Sequence, residues 1–208
     1  MSTPSHSLSA AAASRSTAAA TTVSRVFSPW LVGPVTIWLT ALAGAPGGHA
    51  GAAWWSLLVM LMIVAPLLVY VFLKSAAGEL SGMHVAVRQQ RDALYLAELL
   101  LLLAALLLMT QLQGPQPLRL LLISMTLTLL LFYIINKRWK ISLHAAAIGG
   151  AGVILWQLYS VWSLWLMMPA AVAVMWSRVQ LQQHTPLQAV AGFTLAAALT
   201  ALVFVCGC

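Results

Sequence analysis

The stretch "ALYLAELLLLLAALLLMTQL", residues 93–112, decides the fold class, because its 20 residues contain only one charged side chain. An α-helix of about 20 apolar residues is long enough to cross the hydrocarbon core of a bilayer. The run is continuously apolar instead of alternating, which favours a helix over a strand of a membrane barrel. We therefore predict a membrane-spanning helix at this position.

The composition extends this prediction to the whole chain. Its 208 residues are 62% hydrophobic and only 6% charged, with a mean hydropathy of +0.95. A soluble domain carries about a quarter charged residues, so this chain cannot cover a water-facing surface. The sequence predicts an all-α fold: a polytopic transmembrane helical bundle, and hence a multi-pass integral membrane protein.

Seven hydrophobic segments follow one another along residues 28–208, which we predict to form one transmembrane domain. A Trp-rich, uncharged join separates the fifth segment from the sixth, and no repeat of fixed period relates the segments. The predicted segments are 30–43, 53–73, 93–112, 118–135, 145–159, 161–176 and 186–205.

The two ends of the chain have a different character. Residues 1–27 are rich in Ala, Ser and Thr, contain Arg15 and Arg25, and include no acidic residue. We predict that this segment is disordered or interfacial, and that it is retained rather than cleaved as a signal peptide. The last residues include Cys206 and Cys208, which we interpret as a lipidated or incidental tail.

The ten Lys and Arg residues are distributed unevenly across the predicted membrane. Counting crossings places nine of them on one side and only Arg119 on the other, and by the positive-inside rule the rich side is cytoplasmic. We expect the plasma membrane of a bacterium. With a net charge of +7, the expected partners are anionic membrane lipids or a phosphate-bearing lipid substrate, and not nucleic acid; the oligomeric state stays open.

Three loops on this cation-rich side each hold a histidine in an otherwise apolar chain. They read "SGMHVAVRQQRDALY" with His84 and Arg91, "NKRWKISLHAAA" with His144, and "SRVQLQQHTPLQ" with Arg178 and His184. Imidazole titrates near neutral pH, and guanidinium binds phosphate in bidentate geometry. The three loops are therefore the candidate site.

Laid together, these loops resemble the type 2 phosphatidic acid phosphatase (PAP2) superfamily. The pattern of that family is Lys, six residues, Arg-Pro; then Pro-Ser-Gly-His; then Ser-Arg, five residues, His, three residues, Asp. The chain reads His84, six residues, Arg91-Asp92; then Ile141-Ser142-Leu143-His144; then Ser177-Arg178, five residues, His184, three residues, Gln188. Five functional side chains match in type, while His84 and Gln188 replace the family's Lys and Asp.

The resemblance implies metal-independent hydrolysis of a membrane lipid phosphate or diphosphate, without a cofactor. Polyprenyl phosphate, phosphatidate and phosphatidylglycerol phosphate are the candidate substrate classes. By the same resemblance, His184 is the nucleophile that forms a phosphohistidine, and His144 protonates the departing oxygen. Gln188 takes the place of the carboxylate that orients the nucleophile. The residues expected to bind the phosphate are His84, Arg91, Ser142 and Arg178.

Other interpretations apply to some of these residues. Residues 185–188, "TPLQ", also form the pattern of a capping box, in which Gln188 closes a helix start. Lys137, Arg138 and Lys140 are typical of a positive-inside anchor. Glu98 is expected to pair with a nearby cation or to reach the interface.

The function has alternatives as well. A catalytically degenerate family member that binds lipid phosphate or a protein partner fits the replaced Lys and Asp. A transporter is the weaker alternative, because Gln157 is the main polar side chain that we place at mid-depth in a segment.

Overall fold

A computed structural model of the chain describes residues 4–79 and 91–207, with side chains from residue 14 onward. The described residues form helices and no strand, so the all-α prediction is confirmed. The helices are α1 Pro4–Val26, α2 Pro29–Gly44, α3 Gly48–Met62, α4 Val64–Ala76, α5 Arg91–Gln111, α6 Gln116–Asn136, α7 Leu143–Leu158, α8 Ser163–Gln180 and α9 Pro186–Gly207.

Prolines explain several helix ends. Pro29 and Pro186 begin α2 and α9, where a missing backbone N–H costs nothing. The predicted segment 53–73 is broken into α3 and α4 at Ile63. Pro66 lies four residues after Met62, so it cannot donate to the Met62 carbonyl and its ring crowds that carbonyl.

Within the described residues, five stretches are long and apolar enough to cross a membrane. They are Ser14–Gly44, Gly48–Ala76, Arg91–Gln111, Gln116–Asn136 and Pro186–Gly207. Helix α7 is apolar but shorter, and α8 contains Pro169 and ends in a polar turn. Each of the seven predicted segments overlaps a helix or, for the second, the α3–α4 pair. The multi-pass bundle is therefore confirmed, with five clear candidate spans.

The N-terminal segment contains a helix that packs against α8. Residues 1–27 were predicted to be disordered or interfacial, and helix α1 forms over Pro4–Val26. Its Ala20 and Ser24 are buried, and Gln180 of α8 donates to the Ser16 hydroxyl at 2.9 Å. Packing against α8 accompanies this helix. The disordered or interfacial character of residues 1–27 stays a prediction.

Helix α7 lies at the centre of the bundle, between α2, α8 and α9. Two glycines let α7 and α9 touch backbone to backbone. A methyl group on Gly192 would lie 2.5 Å from the Ser142 carbonyl oxygen, and one on Gly149 would lie 2.6 Å from the Phe193 carbonyl oxygen. Any larger residue would force the helices apart. The start of α7 is thus held against the first turns of α9.

Candidate functional site

Arg178 and His184 are brought together by the way α8 ends. Gln183 N–H donates to the Arg178 carbonyl at 3.0 Å and Gln182 N–H to the Val179 carbonyl at 2.9 Å, which is a Schellman motif. Gln182 has a φ of 53°, the left-handed conformation that this motif needs. The His184 N–H also donates to the Arg178 carbonyl, at 3.3 Å. The turn therefore carries His184 back towards the Arg178 side chain, and both residues are buried.

The guanidinium of Arg178 is held by helix α1. Its Nη1 donates to the Ser24 hydroxyl at 2.5 Å, and Ser24 is buried. Its Nε is also buried and has no hydrogen-bond partner among the described residues. A buried N–H donor without an acceptor costs about 1–3 kcal/mol, so this group is suited to receive a ligand oxygen.

Arg91, the first residue of α5, reaches across to the loop before α7. Its Nη1 donates to the Ile141 carbonyl at 3.3 Å, and the side chain is buried. This contact joins residues 50 positions apart in sequence. The guanidinium is therefore fixed beside the start of α7.

Ser142 and His144 stand at that start. Ser142 is the N-cap of α7: its Oγ accepts a hydrogen bond from Ala145 N–H at 3.4 Å, and the residue is fully buried. This is the capping role typical of serine, so phosphate binding by Ser142 stays a prediction. His144 is buried in the first turn, where the positive end of the helix dipole favours an anion.

The four residues Arg91, His144, Arg178 and His184 line the same cavity of about 250 Å³. They come from the starts of α5 and α7, the end of α8 and the loop before α9. The rest of the wall is mainly apolar and extends into the bundle between α2, α4, α5, α6 and α7. The structure therefore unites four predicted site residues from three separate loops.

Lys140 belongs to the same electrostatic cluster. It is half-buried, and burial lowers its pKa, which Arg91 and then Arg178 lower further. Neither Arg178 nor Lys140 forms an ion pair with any described residue. Cations that lie close together stabilise an anion placed among them. The site is therefore built for a negatively charged group.

His184 is neutral in this environment. Burial is the largest cause that lowers its pKa to about 3, followed by the charges of Arg91, Arg178 and Lys140, while a hydrogen bond with the Lys140 backbone acts in the opposite direction. The Nδ1 atom of His184 is buried and has no hydrogen-bond partner among the described residues. A neutral ring keeps the lone pair that a nucleophile requires.

Gln188 has the partner that the capping-box interpretation predicted. Its Oε1 accepts a hydrogen bond from the Thr185 N–H at 3.1 Å, and its own N–H donates to Thr185 Oγ1 at 3.3 Å. This reciprocal pair is the capping box of α9, and a contact with the His184 ring is not among the described hydrogen bonds. The capping-box interpretation of Gln188 is therefore observed, and its orienting role stays a prediction.

The cations of the "NKRWK" stretch divide between two environments. Asp92 accepts hydrogen bonds from Lys137 Nζ at 3.0 Å and from Asn136 Nδ2 at 3.1 Å, which joins the start of α5 to the end of α6. Lys137 also lies 4.3 Å from the ring centroid of Tyr133. Arg138 is exposed. Lys137 and Arg138 thus face away from the cluster, whereas Lys140 joins it.

Sequence reasoning did not assign three residues to the site, although the structure places them at or next to it. Lys140 looked like one more anchor cation, and Ser24 lay in the segment expected to be disordered or interfacial. Glu98 was expected to pair with a cation or to reach the interface, whereas it lines the cavity and forms no ion pair with the described residues. Lys140 stands two residues before Ser142, and that proximity was the available signal. His84, which was expected to bind the phosphate, lies outside the described residues.

Comparison with known families agrees with the sequence pattern. A protein-family model described as the PAP2 superfamily matches residues 121–207. The matched region contains Ser142, His144, Arg178, His184 and Gln188, whereas Arg91 precedes it. No curated protein and no solved structure matches the chain.

Proposed function

We propose that this chain, in which residues 121–207 match the PAP2 superfamily of phosphatases that act on phosphate esters, hydrolyses a membrane lipid phosphate or diphosphate. One observation carries the proposal: Arg91, His144, Arg178 and His184 line one cavity that continues into the apolar interior of the bundle. A phosphate group would occupy the cationic end, and its hydrocarbon tail would stay among the helices.

The cationic side chains of the site would provide most of the interactions that bind the phosphate group. Phosphoryl transfer is catalysed mainly by positioning and by stabilising charge on the non-bridging oxygens. Arg91 and Arg178 present guanidinium groups fixed at Ile141 and Ser24, which limits the entropy lost on binding. The start of α7 adds a helix N-terminus next to them.

The proposed reaction has two steps. A ring nitrogen of neutral His184 attacks phosphorus, the bond from phosphorus to the alcohol oxygen breaks, and protonated His144 gives its proton to that oxygen. Neutral His144 then takes a proton from a water molecule that attacks the phosphohistidine, which releases inorganic phosphate and restores His184. A hydrogen bond with the Lys140 backbone supports the orientation of the His184 ring.

The membrane setting favours a lipid substrate. Arg91 and the histidines stand at helix ends, and the cavity reaches Leu102 and Ile154 about three turns deeper on α5 and α7. A water-soluble phosphate ester would leave that apolar volume empty. We propose, from the nine-to-one cation bias, that the site faces the cytoplasm.

Binding without turnover is the second candidate, and the capping role of Gln188 favours it, because no carboxylate then supports His184. Phosphate release by the purified full-length protein distinguishes the two. Phosphatidate and a polyprenyl phosphate are presented in detergent micelles, with His184→Ala as the matched control. We expect release by the wild type and a loss of at least about 10³-fold in the variant, since the nucleophile is removed. Binding of both lipids without release by the wild type would establish the second candidate instead.

A further inference from the structure

The cavity wall contributed by α5 has one polar side chain that the proposed reaction does not use. Arg91, Leu94, Glu98 and Leu102 line the cavity at spacings of three, four and four residues, so they share one face of the helix. Glu98 lies seven positions after Arg91, which corresponds to about 10 Å along the helix axis. Glu98 therefore faces the cavity interior two turns below the phosphate end.

Glu98 differs from the other two acidic residues of the chain. Glu79 pairs with Lys74 at 2.6 Å, and Asp92 pairs with Lys137 at 3.0 Å. Glu98 takes part in no ion pair with the described residues 14–79 and 91–207. The apolar residues around it make an unpartnered carboxyl costly, and such a residue inside a membrane protein marks a binding or transfer site.

The opposite wall does not supply a partner either. Thr36 of α2 lines the same cavity, but its hydroxyl donates to the Val32 carbonyl at 2.7 Å. Ser124 of α6 is similarly bound to the Leu121 carbonyl at 2.8 Å. Both hydroxyls are thus engaged within their own helices. The Thr128 and Thr200 hydroxyls also line the cavity, but no hydrogen bond joins the Glu98 carboxyl to a described residue, so a group that enters the cavity can provide one.

We propose that Glu98 forms a subsite for a hydrogen-bonding group of the substrate alcohol and so selects glycerol-based lipid phosphates over polyprenyl phosphates. The inference rests on the proposed function, because it places the phosphate at Arg91. A glycerolipid carries ester or hydroxyl oxygens a few bonds from phosphorus, whereas a polyprenyl chain is hydrocarbon from its first carbon. Phosphatidate presents ester oxygens, so Glu98 in its protonated form donates to an ester carbonyl, whereas an ionised Glu98 would accept only from a glycerolipid that carries a hydroxyl.

The test compares two lipids and three variants of the full-length protein. Phosphate release is measured with phosphatidate and with a long-chain polyprenyl phosphate for the wild type, Glu98→Leu, Glu98→Gln and Thr36→Val. Thr36→Val is the matched control, since it removes a cavity-lining hydroxyl that is already bound within its own helix. Thermal stabilisation by non-hydrolysable phosphonate analogues of both lipids gives a second readout that does not need turnover.

We expect the wild type to prefer phosphatidate in kcat/KM. Glu98→Leu should reduce that preference about tenfold, mainly through KM, because one hydrogen bond in a buried site is lost. Glu98→Gln should retain most of the preference, and Thr36→Val should leave it unchanged. An unaltered ratio in Glu98→Leu would overturn the subsite.

Failure of the proposed function gives a different pattern. If the wild type releases phosphate from neither lipid, the catalytic proposal fails. Thermal stabilisation by the two phosphonates then tests whether Glu98 forms the subsite. Preferential stabilisation by the glycerolipid phosphonate that is lost in Glu98→Leu would still support the subsite. Equal stabilisation by the two phosphonates, or none, would overturn it.

Discussion

His184 illustrates how the site depends on single side chains. Its neighbours Arg91, Arg178 and Lys140 are cations, and its ring is buried, so its pKa falls to about 3 from an ordinary value of 6.5. The unfolded chain therefore binds more protons than the folded chain between these two pH values. The stability contributed by the neutral ring is present above about pH 6.5 and is lost as the pH falls towards 3.

The resulting prediction concerns acid stability. The free energy of unfolding of the wild type should fall below pH 6.5 with a slope of up to about 1.4 kcal/mol per pH unit from this residue, and His184→Asn should show a shallower dependence. Thermal unfolding in detergent between pH 7 and pH 4, in phosphate-free buffer, measures the pH dependence of stability for the wild type and for the variant. Identical pH dependence in the two proteins would contradict a neutral, buried His184.

Lys140 and Arg138 form a matched pair of cations in one loop. Lys140 is electrostatically coupled to Arg91 and Arg178, whereas Arg138 is exposed. Lys140→Met should raise KM for a lipid phosphate about tenfold or more, because a cation near the phosphate is removed, while Arg138→Met should change it less than about twofold. Steady-state kinetics at fixed ionic strength measure KM for the wild type and for both variants. Equal effects of the two substitutions would return Lys140 to a purely topological role.

Residue chemistry explains which site members the sequence could predict. His144, Arg178 and His184 are scarce polar residues in an apolar chain, and their spacing identified them. Lys140 resembled its neighbours Lys137 and Arg138, because a loop sequence does not show which cation turns inward. Gln188 satisfied two patterns at once, and only the geometry shows which hydrogen bond forms.

At the scale of elements, the start of α9 offers the sharpest test. Gln188→Ala removes the partner of the Thr185 N–H and should lower stability by about 1 kcal/mol with turnover nearly unchanged. Gln188→Asp should likewise leave turnover within about twofold, although it introduces the carboxylate of the family pattern. Thermal unfolding and kinetics are measured on the same preparations. A tenfold or larger gain in turnover for Gln188→Asp would support the orienting role.

Helix positions were largely predictable, because apolar runs of membrane length leave few alternatives to a helix. Residues 53–73 were predicted as one span, whereas the structure has a break between α3 and α4 that Pro66 explains. Helix α1 was not predicted, since its Ala-, Ser- and Thr-rich sequence has no apolar face and gains order from packing against α8. Tertiary contacts of this kind have no local signature.

At the scale of the whole molecule, the cation distribution predicts orientation. Gln183 lies in the loop before α9 on the cation-rich side, so Gln183→Cys should react with a membrane-impermeant thiol reagent only from the cytoplasmic side. Cys206→Ser and Cys208→Ser provide the background, because Cys206 is exposed. Sealed vesicles of both orientations are compared. Labelling from the opposite side alone would place the chemistry outside the cytoplasm.

The central claim is that His184 carries the phosphoryl group. The most direct measurement is mass spectrometry of purified protein incubated with a lipid phosphate and quenched at alkaline pH, where phosphohistidine survives. The expected result is one phosphoryl group on the peptide that contains His184, formed equally in EDTA because arginines bind the phosphate. His184→Asn should show neither the adduct nor phosphate release. Full turnover in His184→Asn, or phosphate release that requires added magnesium, would contradict the claim that His184 carries the phosphoryl group.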